Sequence, residues 1–124
     1  MTGYARDKGE RERVRANPKK LNALQMKTLA ILQAMAGESE FADPPAEDGT
    51  VAIHSMPHAH GDHLHVGRAV VSGRDATGLG NPNVISALLR KGLLVSRPGR
   101  LVLTRDALAY ETGVAARILH RPDH

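Results

Sequence analysis

The strongest constraint on this chain lies in Ala76–Thr104, ATGLGNPNVISALLRKGLLVSRPGRLVLT. Asn81 can cap a helix, and Pro82 fits its first position, where a missing N–H costs nothing. Val84, Ile85, Leu88 and Leu89 then form one face at helical spacing, with Asn83, Ser86, Ala87, Arg90 and Lys91 on the other. Gly92 is the natural stop. Leu93-Leu94-Val95 and Leu101-Val102-Leu103 suit strands, and Arg97-Pro98-Gly99-Arg100 turns the chain between them. One short helix face and one small hairpin must therefore be buried by the rest of the chain.

Upstream, Asn17-Pro18 repeats the cap-and-proline signal and predicts a helix of about five turns ending at Gly37. Leu21, Leu24, Thr28, Ile31, Leu32 and Met35 fall on one face of it, with Leu29 on the flank. Residues 38–50 read as an acidic loop, since Asp43-Pro44-Pro45 forbids helix. Val51-Ala52-Ile53 suits a strand. Ala69-Val70-Val71 fits either a strand or the start of a helix, and residues 72–79 have the spacing of a short helix leading into a turn. Downstream, Thr104 can cap a last helix with Asp106 in its first turn. That helix buries Ala107, Val114 and Ile118, with Gly113 weakening its middle. Residues 1–17 read as a flexible basic arm, 18–120 as one domain interrupted by an acidic and His-rich insertion at about 38–66, and 121–124 as a tail.

Ala76-Thr77-Gly78-Leu79, Val84, Ala87-Leu88 and Arg90-Lys91-Gly92-Leu93-Leu94, followed by a turn and Leu101-Val102-Leu103-Thr104, resemble the winged helix-turn-helix superfamily, MarR-like and related bacterial regulators. The resemblance implies a mainly α fold with a small β-hairpin. It also implies a partner, double-stranded DNA, with the second helix of the pair in the major groove and the wing on the backbone. Carried over by position, Asn83, Ser86, Ala87 and Arg90 would face bases or phosphates. Lys91, Arg97 and Arg100 would pair with phosphates, and Arg74 would join them from the preceding helix. Such regulators usually bind as dimers, and the apolar face of the last helix is the expected homodimer contact.

Charge distribution agrees with that expectation. The formal charge is +4, but residues 66–105 hold seven Lys/Arg against one acid, Asp75, while residues 37–50 hold five acids and no base. A basic second half is what phosphate neutralisation needs. The only aromatics are Tyr4, Phe41 and Tyr110, so the core must be aliphatic. With no cysteine there are no disulfides, thiolate ligands or Cys nucleophile. No apolar run is long enough to span a membrane, and a cytoplasmic location is the expectation.

Five of seven histidines lie between His54 and His65, in HSMPHAHGDHLH. Neutral imidazole is a ligand for zinc, copper and nickel, and carboxylates serve as well. His54, His58, His60, Asp62, His63 and His65 are therefore candidate ligands for a divalent transition metal, zinc or nickel. On an extended stretch His63 and His65 point to the same side. His58, His60, Asp62 and His63 spell H-x-H-x-D-H, which looks like the metal motif of the metallo-β-lactamase fold. That resemblance implies two metals and an activated water. Only residues 64–124 follow His63, however, too few for the αββα sandwich and its remaining ligands. The leading expectation is a small DNA-binding transcriptional regulator responsive to metal, not an enzyme. A protein-interaction module without DNA binding is the alternative, and a metal-dependent hydrolase ranks below it.

Overall fold

The computed structural model describes residues 17–121. Residues 1–16, read as arm, and 122–124, read as tail, lie outside the described residues. The first helix, α1, spans Ala23–Ala36 and is shorter than the five turns expected from Pro18. The reason is local. Asn17 holds a turn instead, its side chain accepting from the Leu21 N–H and donating to the Leu21 carbonyl, both at 2.9 Å. Lys20 then takes a left-handed φ of 54°, which no helix interior allows. The working cap is Asn22, whose Oδ1 accepts from the Gln25 N–H at 2.8 Å, while Gln25 Oε1 accepts from the Asn22 N–H at 3.0 Å. This reciprocal pair satisfies two N–H groups that the first turn leaves without helical partners.

Helix α1 is the centre of the molecule. Thr28, Leu29, Ala30, Ile31 and Leu32 are consecutive and all buried, as is Met35. Five consecutive positions span more than one turn, so the helix is enclosed all round rather than along the single stripe read from its spacing. It packs against both sheets and the later helices. Its Gln33 Nε2 donates to the Ala107 and Tyr110 carbonyls, each at 2.8 Å. Tyr110 in turn accepts from the Lys19 N–H at 3.0 Å and donates to Asn17 Oδ1. The two ends of the described chain are thereby stitched to the central helix.

The expectation of a mainly α fold with one small hairpin is corrected by two three-stranded antiparallel sheets. Helix accounts for 34% of the described residues and strand for 22%. The first sheet contains β1 (Val51–Ile53), β5 (Leu94–Arg97) and β6 (Arg100–Leu103) in the order β1-β6-β5, with Val51 and Leu94 both opposite Leu103. The second is a meander of β2 (Ala59–His60), β3 (His63–Val66) and β4 (Ala69–Ser72) in chain order. It forms because His63-Leu64-His65-Val66 alternates polar and apolar residues at the strand period, with Leu64 and Val66 buried. Ala69-Val70-Val71 pairs with that strand and buries Val71. The insertion thus supplies β1 to the first sheet and two strands to the second, whose third strand, β4, lies beyond it. The acidic segment is ordered too: Phe41 is buried, and Ala42 bridges to Ile53.

Thr77–Gly80 forms one 3-10 turn in place of the helix expected over residues 72–79. Helix α2 spans Pro82–Arg90, and the Asn81 side chain accepts from the Asn83 N–H at 2.9 Å. At its far end Gly92 has φ +77°, the Gly92 N–H donates to Leu89 O, and the Leu93 N–H donates to Leu88 O. That pair of bonds is a Schellman stop, with buried Leu88 and Leu93 supplying its apolar contact. The single last helix divides in two: α3 (Arg105–Ala109), capped by Thr104, and α4 (Ala115–Ile118), separated by a stretch in which Gly113 has φ +73°. Ala107, Val114 and Ile118 are buried in the chain's own core, as expected of that apolar face.

Candidate nucleic-acid interface and histidine face

Helix α2 packs against α1, with its Val84, Ala87 and Leu88 buried. Ala87 was expected on the outer face. It is buried instead, so the buried stripe of α2 is one residue wider than the four large apolar side chains indicate. Asn83, Ser86 and Arg90 are exposed. Spaced three and four apart, they form a row along the solvent side of α2.

The cations read as phosphate partners divide into two groups. Arg74, Arg90 and Arg97 are exposed. Lys91 is turned inward, its Nζ donating to the Lys19 carbonyl at 2.8 Å, so it fastens the N-terminal turn rather than facing a groove. Arg100 Nε donates to Asp43 Oδ2 at 2.9 Å, and its Nη1 to the Gly99 carbonyl at 3.0 Å. Both side chains of that ion pair are 42% exposed, which places it among weak, exchangeable pairs. Asp43, Pro44, Asp48, Arg97 and Arg100 line a cleft of about 440 Å³ between the acidic segment and the β5–β6 hairpin. The Asp48 carboxyl lies below the ordinary carboxylate value. The Thr50 N–H and hydroxyl both donate to it, and Arg97 adds a smaller attraction. Another cation, Lys27, pairs with Asp75 at 2.8 Å across α1 and the segment before the 3-10 turn.

The histidines separate by position. His54 Nδ1 lies 2.7 Å from Ser55 Oγ, away from the meander. His58 is exposed and precedes β2. In the meander, the two-residue turn Gly61-Asp62, with Gly61 at φ +70°, sets His60 directly opposite His63. His65 lies two residues on, hence on the same face. The ring centres are 6.3 Å apart for His60–His63, 5.5 Å for His60–His65 and 4.9 Å for His63–His65. Asp62 Oδ1 lies 3.4 Å from His63 Nδ1. The division implied by the H-x-H-x-D-H motif, His58 with His60 and Asp62 with His63, is not the grouping the fold makes. Sequence reasoning missed the bridge between Val70 and His120, which adds a further backbone pairing beyond β4. His65, Val70 and His120 lie in one cross-strand row, a juxtaposition with no local sequence signal.

No family model, curated protein or solved structure matches this chain. No helix among the described residues is long and apolar enough to cross a membrane.

Proposed function

We propose that this protein binds double-stranded DNA as a transcriptional regulator, with α2 as the groove-reading helix and the β5–β6 hairpin laid along the phosphate backbone. The observation that carries the reading is the exposed row Asn83, Ser86 and Arg90 on a capped helix, beside a hairpin whose tip holds Arg97 and Arg100. Asn and Arg are side chains that pair with base edges bidentately, and Arg also serves phosphates. Arg74, Arg90, Arg97 and Arg100 are the cations available for phosphates, Arg100 once it exchanges Asp43 for DNA.

Fluorescence anisotropy with a labelled duplex of random sequence, repeated across salt concentrations, tests this. Four phosphate contacts give a slope of log Kobs against log salt of about −3 to −4. Arg90→Ala and Arg97→Ala each reduce that slope by about one, whereas Lys91→Ala leaves it unchanged. No binding at low salt, or a slope indifferent to Arg90 and Arg97, refutes the proposal.

A second reading, a protein-interaction module without DNA binding, rests on β5. It is an edge strand, and Val95 on it is 37% exposed. An edge with an exposed apolar side chain is a template for an added strand. Binding of that kind would survive high salt and be abolished by Val95→Lys.

A further inference from the structure

We infer that the outer face of the β2–β3 hairpin is a three-histidine site for a divalent transition metal, with His60, His63 and His65 as ligands. Their placement is set by the backbone. His60 and His63 are a direct cross-strand pair, and His65 follows His63 on the same face. The opposite face is anchored by buried Leu64, Val66 and Val71, so the strand register cannot slip without exposing them. The three rings stand at the solvent surface, His60 and His65 exposed and His63 partly so.

Spacing is the second observation. Three imidazoles on a tetrahedral ion, each nitrogen at roughly 2.0–2.1 Å, put their ring centres about 5.3 Å from one another. The observed 4.9, 5.5 and 6.3 Å bracket that value. Among the described residues no three donor atoms already surround one point, so loading turns the rings about their side-chain bonds and leaves the strands in place. Surface side chains make that adjustment at little cost. A third observation is the carboxylate. Asp62 Oδ1, 3.4 Å from His63 Nδ1, can accept a hydrogen bond from the Nδ1–H tautomer, which leaves Nε2 for the ion. Asp62 is thus a positioning residue, not a ligand. Three protein ligands leave a fourth position for water or another small donor. Nitrogen-only ligation suits zinc, nickel or copper rather than magnesium or calcium. This inference is independent of DNA binding, since α2 and the hairpin β5–β6 contribute no ligand.

Zinc binding to the chelator-treated full chain, measured by native mass spectrometry and by competition with a chromogenic chelator, tests the site. One zinc per chain is expected, and His60→Gln, His63→Gln and His65→Gln each weaken it at least tenfold. His54→Gln and His58→Gln leave the affinity unchanged. Asp62→Ala weakens binding by about tenfold or more, and Asp62→Asn, which keeps an accepting oxygen, restores part of it. Cobalt(II) loaded in place of zinc gives the intense visible bands of a tetrahedral site, and these vanish in the His63 variant. All the substituted side chains face solvent, and far-UV circular dichroism confirms that each variant is folded. No zinc bound at tenfold excess overturns the site. Equal losses in the His54, His58 and His65 variants also overturn it, because they would mean diffuse binding along the segment.

Discussion

Replacing Gly78 by alanine tests how α2 is positioned. Gly78 is buried in the 3-10 turn directly over α1, and a methyl group built there overlaps Thr28 Oγ1, with Thr28 Cβ at 3.2 Å and Val84 Cγ1 at 3.4 Å. Thr28 cannot swing away cheaply: it is fully buried, and its hydroxyl donates to the Leu24 carbonyl at 2.8 Å. Overpacking of this kind costs about 1–3 kcal/mol. Gly78 does not have a positive φ, so alanine can adopt its backbone conformation. The narrower unfolded ensemble then offsets about 0.4–1 kcal/mol of that cost. The net loss is about 1–2 kcal/mol, or a fall in Tm of about 4–10 °C for a domain of this size. Thr28→Ala removes the obstructing hydroxyl. Adding Gly78→Ala in that background should therefore cost almost nothing, a coupling of about 1–2 kcal/mol in a double-mutant cycle followed by urea unfolding. If the two substitutions add within about 0.3–0.5 kcal/mol, the close approach of the turn to α1 does not limit stability, and the packing account is wrong.

Four further outcomes follow from the same geometry. Asn22→Ala removes the capping box of α1 and should lower stability by about 1 kcal/mol, with the urea midpoint falling and the slope m unchanged. Leu88→Ala, at a fully buried position between α1 and α2, should cost about 2–5 kcal/mol in the same assay. Asp43→Asn frees Arg100 from its competing partner and should tighten binding of the labelled duplex at a fixed low salt concentration, while changing stability by no more than about 1 kcal/mol. The Asp48 carboxyl is depressed in the folded state, so its contribution to stability is present above the ordinary carboxylate value and is lost as pH falls through the depressed one. Asp48→Ala should remove that part of the acid dependence in urea unfolding at graded pH, and an unchanged acid limb would refute the assignment.

The legible parts of the fold were those fixed by local backbone chemistry. Asn81-Pro82, Gly92, Pro98-Gly99 and Thr104 each act within a few residues, and each marks the boundary or turn expected of it. The start of α1 was misplaced because two Asn residues compete: Asn17 makes a turn, and only Asn22 has a glutamine three residues on to complete the box. The second sheet is masked in the sequence for a different reason. In His63-Leu64-His65-Val66 the histidines drew a chemical reading, while the Leu and Val between them carried the strand period. Both signals were present, and one residue set served both, since the alternation that buries Leu64 and Val66 is what aligns His63 and His65.

Charge was legible as a total but not as an allocation. Arg90, Lys91, Arg97 and Arg100 look equivalent in sequence, yet the partner of Lys91 is the Lys19 carbonyl 72 residues away and that of Arg100 is Asp43, 57 residues away. No window around either cation contains that information. The two engagements also differ in consequence. A lysine bonded to a backbone carbonyl in a partly buried site has lost its reach for a phosphate. An arginine paired with an exposed carboxylate can exchange that partner for a phosphate, because the two anions compete for the same donors and the exposed pair contributes little. On the proposed function, the acidic segment beside the hairpin would act on a bound polyanion as a competitor tethered in place. Its influence should weaken with rising salt through the same screening that would weaken the proposed DNA binding, so the two effects would partly cancel in the affinity of the intact chain and separate only when Asp43 is neutralised.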